Sequence, residues 1–268
     1  MTPKPPLFDS ARIKRNYARA QKKDSDSGFL RRRALEDMSE RLQAVMRPFE
    51  NGLLLSPFLP DAEALPASLG DVSDKIEIAP QSRDLVTSLL HLHLEENLPG
   101  ALQHIREGLR PDGLFLGALF GERTLHELRA ALLRAESEYC DGVQARIIPF
   151  VEIKALGVLM QHAGFALPVV DVDRVVVRYS SLMALMRDLR AMGQANPLAG
   201  TIRPLRRDVI ARAEEIYRAS HGGDDGRLPA SFEIVHMCGW APHESQQKPL
   251  KPGSAQVSLT DVLGKKKT

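Results

Sequence analysis

The stretch "DLVTSLLHLHLEENLPGALQHIREGLRPDGLFLGALFG", residues 84–121, carries the pattern that decides the fold. Its first ten residues form an apolar segment that predicts a β-strand. The next part, "NLPGALQHIREGLRPDG", predicts a helix with a proline near its start and a Pro-Asp-Gly stop. The final part, "LFLGALFG", is a continuous apolar run, typical of a strand buried on both faces of a parallel sheet. The stretch therefore predicts one β-α-β unit.

Similar elements flank this unit on both sides. Upstream, residues 7–50 predict two helices, "GLLL" predicts a short buried strand, residues 56–69 predict a loop, and "KIEIAP" predicts another short strand. Downstream, helices are predicted at 123–139, 149–164, 181–192 and 204–219, and strands at 168–179 and 231–242. Alternating strands and helices predict an α/β fold with a mostly parallel sheet. The two late strands, separated by two helices, predict an antiparallel pair at one edge.

The bulk composition is that of an ordinary globular protein. The 268 residues include 43% hydrophobic and 26% charged residues, and no apolar stretch is long enough to span a bilayer. We expect a helical extension at 1–50 and an α/β domain at 51–268 with a helical insertion at about 181–220. No secretion segment is evident at the N-terminus. A bacterial cytosolic location is expected, with peripheral contact to the inner membrane left open.

The basic residues are concentrated near the N-terminus, although the formal net charge is only +2. "RIKRNYARAQKK" (residues 12–23) and Arg31–Arg33 indicate a surface for anionic lipid, an acidic partner or RNA. The alternative is a solvated helix face. Nucleic-acid binding ranks last, because it rests on charge alone.

Motifs for metal or nucleophilic chemistry are not evident. Cys140 and Cys238 share no metal-type or redox-type spacing, so no disulfide is expected. His91 and His93, with Glu95 close behind, have a spacing that can serve a metal, but no second ligand cluster accompanies them. We predict no metal, and expect these histidines to line a cofactor or substrate pocket. No phosphate loop or nucleophile elbow is visible.

A family resemblance adds to this reading. Residues 84–121 resemble the second half of class I S-adenosylmethionine-dependent methyltransferases, and the turn at 109–113 resembles that family's turn before its fifth strand. "LFDSARIKRNYARA" and long stretches after residue 120, among them "IIPFVEIKALGVLMQHAGF" and "VDVDRVVVRYSSLMALMRDLRAMGQAN", resemble the mitochondrial complex I assembly factor that hydroxylates an arginine of an iron–sulfur subunit. The biotin-pathway malonyl carrier-protein methyltransferases are similar to a lesser degree.

The resemblance implies a Rossmann-like class I methyltransferase sheet, truncated in its first half, with extra helices at the N-terminus and between the last strands. It implies S-adenosylmethionine as the cofactor, if there is one. The residues expected on the cofactor side are Ser56, Ser88, Leu89 and His91. Those expected in a substrate or client crevice are His93, Glu122, Thr124, Glu127, Arg129 and Arg146. For Thr124 and Glu127, helix capping is the alternative.

The chain departs from the family around its first strand, where such enzymes place an acid and a glycine-rich turn. Leu54 stands where the acid is expected, and Ser56 and Phe58 stand where glycines are expected. From Leu54 to Asp84 is 84 − 54 = 30 residues, roughly one strand–helix–strand unit, where the family fits about two. We therefore predict the loss of one crossover helix and of the second strand with its ribose-binding acid. The acids and glycine of "DAEALPASLGD" (61–71) lie in a stretch too irregular to replace them.

Two functions remain open. The first is an assembly or maturation factor with a degenerate S-adenosylmethionine site, binding a client protein that by resemblance is a respiratory-chain subunit. The second is an active methyltransferase or hydroxylase, acting on a protein or a small carboxylate through a rebuilt cofactor site.

Overall fold

The computed structural model describes residues 5–21, 28–57 and 69–247. Phe58, Asp61 and Glu63 lie outside this part of the chain. The helices are α1 (Ser10–Gln21), α2 (Phe29–Ala44), α3 (Leu98–Gly108), α4 (His126–Tyr139), α5 (Ile153–His162), α6 (Leu182–Ala191) and α7 (Arg207–His221). The strands are β1 (Gly52–Leu55), β2 (Leu69–Ser73), β3 (Arg83–Leu89), β4 (Leu109–Phe120), β5 (Ala166–Tyr179) and β6 (Leu228–Trp240).

The strands form one six-stranded sheet in the order β2-β1-β3-β4-β6-β5. The strands β1 to β4 are parallel, whereas β6 is antiparallel to both β4 and β5. One face packs against α3 and α5, and the other packs against α2, α4, α6 and α7. The predicted α/β fold, with an antiparallel pair at one edge, is confirmed.

The sheet is central because its middle strand is apolar on both sides. In β4, Leu114, Leu116 and Phe120 pack into the core under α2 and α4. Phe115 and Leu119 point the opposite way, into the core under α3 and α5. Successive side chains of a strand alternate between faces, so an uninterrupted apolar run requires cover on both.

The second strand is present, so the prediction that it had been lost is wrong. Strand β2 pairs in parallel with β1, with Leu54 opposite Val72, and the Ser56 N–H donates to the Ser73 carbonyl at 2.8 Å. The run β2-β1-β3-β4 corresponds to strands 2-1-4-5 of the doubly wound order 3-2-1-4-5-6, and β6 lies between β4 and the edge strand β5. Within the described residues, the part missing from the first half is therefore strand 3 of that order.

The predicted strand at 75–80 is also wrong. Ile78 packs so tightly against α3 that a methyl group on Gly108 would lie 2.4 Å from it. The Ile78 amide points at the His104 Nε2 atom, 3.3 Å away. Strand β1 lies between β2 and β3, so the segment that joins β2 to β3 passes over α3. It therefore does not pair with a strand at the sheet edge.

The strand that starts at residue 83 ends before the histidines. Leu90 adopts a left-handed conformation with φ of 48°, and Leu92–Leu94 form one 3-10 turn. His91 and His93 therefore do not share a strand face, in contrast to the expectation for a continuing strand. The bend buries both side chains beneath the carboxyl edge of the sheet.

Helix α1 lies across this carboxyl edge. Near its start, Asp9 N–H donates to the Pro197 carbonyl at 2.8 Å, and near its end the Gln21 amide donates to the Pro57 carbonyl at 3.0 Å. Helix α2 instead packs on a sheet face through Leu30 and other apolar residues of the main core. Within the described residues, no helix is both long enough and apolar enough to cross a bilayer.

Replacing Leu54 with aspartate tests this packing. Leu54 is 0% exposed, so the variant buries an unpaired carboxylate, and we expect a loss of at least about 3 kcal/mol in the free energy of unfolding. Val143, which is 47% exposed, provides the control, and Val143→Asp should change stability by less than about 0.5 kcal/mol. Urea denaturation measures both. Equal stability of the two variants would contradict the described packing of β1.

Candidate functional site

The carboxyl ends of β1 and β3 mark the place where a doubly wound sheet binds ligands. The chain leaves β1 toward β2 on one side and leaves β3 toward β4 on the other, so the switch point lies between β1 and β3. Ser56 directly follows β1 and is 3% exposed, and Leu55 pairs with Ser88 of β3. We call the region around Ser56, Ser88 and His91 the switch-point crevice.

Several buried polar atoms at this crevice lack a partner. The Ser88 hydroxyl, both ring nitrogens of His91 and Nδ1 of His93 make no hydrogen bond within the described residues. The Glu95 carboxylate lies 3.5 Å from His91 Nε2. An unsatisfied buried polar atom costs about 1–3 kcal/mol, so a bound molecule or water that reached the Ser88 hydroxyl or His93 Nδ1 would be stabilising.

Burial keeps both histidines neutral. It lowers the pKa of His93 to about 3, against the opposing effect of its contact with Gln194, and it lowers the pKa of His91 despite the nearby Asp74. Burial also raises the pKa of the Glu95 carboxyl, with a further contribution from Glu96. A neutral imidazole offers a ligand one N–H donor and one acceptor nitrogen.

A hydrogen-bonded chain joins His93 to the covering helix. His93 Nε2 lies 3.3 Å from Gln194 Oε1, and because an amide oxygen only accepts, Nε2 carries the proton and Nδ1 is left as an acceptor. The hydroxyl of Tyr17 on α1 contacts Gln194 as well, and burial raises the pKa of Tyr17. The rings of Phe120 and Phe150 lie 5.1 and 5.9 Å from the His93 ring and fix its plane.

A narrow cleft of about 30 Å³, partly open to solvent, lies beside this chain of contacts. Helix α1 covers it, β4 and β6 form its floor, and the segment after α6 forms one wall. Most of the lining side chains are apolar, with a few polar groups among them. The lining residues are Ile13, Asn16, Leu94, Phe120, Thr124, Leu125, Arg146, Ile147, Ile148, Phe150, Leu189, Gly193, Gln194, Ala195, Asn196, Pro197 and Phe232.

The residues predicted for the cofactor side do not all face the crevice. Ser56, Ser88 and His91 gather at the carboxyl ends of β1 and β3. Leu89, which is 1% exposed, packs into the main core instead. Their role in holding a ligand stays a prediction.

The residues predicted for the client side are also divided. Thr124 and Arg146 line the cleft, and His93 borders it through Gln194. Arg129 supports the wall from behind, donating to the Ile148 carbonyl at 3.0 Å. Glu122 is exposed to solvent and does not line the cleft.

Thr124 and Glu127 do not form the capping box that their spacing suggested. Helix α4 begins after Leu125, whose φ of 56° is left-handed, and Thr124 bonds to the Glu233 backbone at 3.1 and 3.3 Å. Glu127 accepts from the backbone and hydroxyl of Ser231. Both side chains therefore bond to residues of β6 and hold the start of α4 against the sheet, instead of capping the helix.

The charge of Arg146 is neutralised at the cleft wall. Its side chain is 9% exposed and pairs with Glu136, which is 3% exposed, with Nε and Oε1 3.0 Å apart. A buried pair of this kind is costly to break, since the remaining charge would be left without a partner. Arg146 is therefore a wall element rather than a free cation for an anionic ligand.

Sequence reasoning missed Tyr17, Asn16 and Gln194 as site residues. Gln194 follows Gly193, whose φ of 79° ends helix α6 and turns the amide back toward His93. A glycine after an amphipathic helix was visible, but the long-range contact with α1 was not. No group of three or more His, Cys, Asp or Glu within the described ranges is placed to hold a metal ion.

The chain is similar in sequence to known proteins. No family model matches the chain. It is 45% identical over 179 residues to "Arginine-hydroxylase NDUFAF5, mitochondrial" of Danio rerio, a match that covers 67% of the chain and 56% of that protein. The human protein of the same name is 43% identical over 182 residues, covering 68% and 52%. The chain is a homologue of these proteins.

The chain is also similar to more distant proteins. The malonyl-[acyl-carrier protein] O-methyltransferase of Halorhodospira halophila is 34% identical over 182 residues, covering 68% of the chain and 60% of the enzyme. A solved putative methyltransferase from Bacillus halodurans is 10% identical with a TM-score of 0.48, covering 78% of this chain and all of that one. The chain spans about half the length of the curated relatives it matches.

These comparisons contradict the expected bacterial cytosolic location. The arginine hydroxylases at 39–45% identity are eukaryotic proteins designated mitochondrial. The expectation rested on composition, and cytosolic and mitochondrial proteins share the same ordinary composition.

The buried His93 predicts a loss of stability in acid. The unfolded chain takes up a proton on His93 near pH 6.5, whereas the folded protein does so only near pH 3. Stability is therefore lost as pH falls below about 6.5, by about 2 kcal/mol between pH 7 and pH 5. His93→Asn should remove this loss, and His243→Gln, at an exposed histidine, should keep it. Denaturant titration at both pH values measures the difference. An unchanged pH dependence in His93→Asn would contradict the buried neutral histidine.

Proposed function

We propose that the chain is an assembly factor that binds a client protein in the cleft, and that its first half no longer holds S-adenosylmethionine in the manner of the methyltransferase family. The observation that carries this proposal is the environment of Leu54. It stands where the cofactor-binding acid is expected, is 0% exposed and packs into the main core. An apolar side chain inside the core cannot accept hydrogen bonds from a cofactor.

The neighbouring backbone supports the same conclusion. No glycine occurs between Gly52 and Gly70, so the turn after β1 lacks the residues that let a cofactor approach the backbone. The Ser56 N–H is bonded to Ser73 and is not available to a ligand carboxylate. These residues do not fit the cofactor as the family binds it, and we derive no chemical step through it.

The client side supports binding of a protein segment. The cleft is apolar with a few fixed polar groups, which is the usual character of a recognition site. By homology to the arginine hydroxylases, the client would be a subunit of respiratory complex I. A side chain entering the cleft would meet the aromatic rings of Phe120 and Phe150 and the amide of Gln194.

One observation favours the alternative, an active methyltransferase or hydroxylase with a rebuilt site, acting on a protein or a small carboxylate. The Ser88 hydroxyl and His93 Nδ1, which make no hydrogen bond within the described residues, lie with His91 at the switch-point crevice. A bound cofactor or substrate would satisfy them.

Rescue of human cells that lack the human homologue separates these functions. The chain, fused to a mitochondrial targeting sequence, should restore complex I assembly on native gels without restoring arginine hydroxylation, read by mass spectrometry. Restoration of both would establish the alternative. Restoration of neither by a folded, imported protein would contradict the proposal.

Two alanine-to-tryptophan variants, one inside the cleft and one outside it, test the cleft in the same rescue assay. Ala195 lines the cleft, and Ala211 is exposed on α7. We expect Ala195→Trp to abolish rescue while remaining folded by circular dichroism, because the indole occupies the space of the client side chain. Ala211→Trp should rescue as well as the unmodified chain. Full rescue by Ala195→Trp would exclude the cleft as the client site.

A further inference from the structure

Two neighbouring helices beside the cleft present cations that have no partner. Lys14, Arg15 and Arg19 on α1 are exposed, and so are Arg187 and Arg190 on α6. None of these five side chains makes an ion pair or hydrogen bond with any residue of the described ranges. We call them the basic surface.

The packing of the two helices makes the basic surface continuous with the cleft. Helix α1 contacts α6, and Asn16 donates to the Ala195 carbonyl at 2.9 Å in the segment after α6. The inner face of α1 lines the cleft through Ile13 and Asn16, while its outer face carries the cations. A polypeptide that reaches into the cleft would therefore pass over the basic surface.

Nearby acids within the described residues do not compensate this charge. Helix α1 contains four basic residues and no acid. In α6 the acid is Asp188, which accepts a hydrogen bond from the Tyr179 hydroxyl at 2.6 Å. Elsewhere on the surface, many arginines are paired, as Arg178 is with Asp225 at 2.9 Å. The positive charge of the basic surface thus remains available to a partner.

We infer that the basic surface docks an acidic segment of the client protein next to the cleft. This inference rests on the proposed client-binding function. Carboxylates match the ammonium and guanidinium groups in charge and hydrogen-bonding geometry. Exposed Met183, on the same helix as Arg187, adds one adaptable apolar contact to such a segment.

The side chains around the cations favour a polypeptide over a membrane or RNA. The other exposed positions of α1 are Ser10, Ala11, Ala18 and Gln21, none of which carries an apolar side chain large enough to anchor a helix in a bilayer. Single-stranded RNA is held by stacking on exposed aromatic rings. Among the described residues Tyr139 is the exposed aromatic, and it lies at the end of α4.

Binding of a fluorescein-labelled peptide of alternating glutamate and serine tests the inference directly. The chain should bind this probe with an affinity that falls as salt screens the charges. The triple variant Lys14→Glu, Arg15→Glu, Arg19→Glu should bind at least about tenfold more weakly, a change of about 1.4 kcal/mol. The control triple Arg110→Glu, Lys154→Glu, Arg207→Glu changes the same net charge at other exposed cations and should bind as the unmodified chain does. Fluorescence anisotropy measures all three proteins.

Equal weakening in both triples would overturn the inference, because net charge alone would explain the binding. So would binding to phosphatidylglycerol vesicles or to an RNA oligonucleotide under conditions where the peptide does not bind. The rescue assay separates this result from the proposed function. Failure of the unmodified chain would remove the client function itself, whereas rescue by the α1 triple variant at the level of the control triple would remove only the docking surface.

Discussion

The burial of β4 on both faces is the constraint on which the remaining structure depends. Its alternating apolar side chains fill two cores at once, with Phe115 on one side and Leu116 on the other. Helices must therefore cover both faces, and parallel strands must flank β4 on the side of β3. This arrangement aligns the carboxyl ends of β1 to β4 along one edge, where polar groups can gather without disturbing either core.

That edge contains two regions of different character. At the switch-point crevice, the Ser88 hydroxyl makes no hydrogen bond within the described residues, His91 lies 3.5 Å from Glu95, and Leu54 of the first strand packs into the core. At the cleft, each polar group is held by neighbours: Gln194 joins His93 to α1, and Arg146 is neutralised by Glu136. The edge thus places a cleft with fixed polar groups next to a switch-point crevice whose first strand carries Leu54 where the methyltransferase family is expected to have an acid.

Much of this fold was predictable, since apolar periodicity reports burial directly. The run at 114–121 predicted a doubly buried strand, and the two late strands separated by two helices predicted the antiparallel edge pair. Strand β2 was missed because Leu69–Ser73 contains glycine and aspartate and gains its strand conformation only by pairing with β1.

The site was harder to predict, because its contacts join distant parts of the chain. The positions of Ser88 and His91 near a strand end were foreseeable, and so was the absence of an acid at Leu54. The contact of Gln194 with His93 spans 101 residues and depends on how α1 closes the edge. Thr124 and Glu127 had a local explanation that the structure replaced with bonds to β6.

Titration calorimetry with S-adenosylmethionine and S-adenosylhomocysteine, paired with thermal unfolding, tests the central claim most directly. The account predicts no binding heat and no change in melting temperature for the folded protein. A ligand at a hundredfold over its Kd would add about 2.7 kcal/mol of stability, which raises the melting temperature by roughly 2–4 °C per kcal/mol. A saturable heat with a shift of that size would contradict the account and establish a working cofactor site.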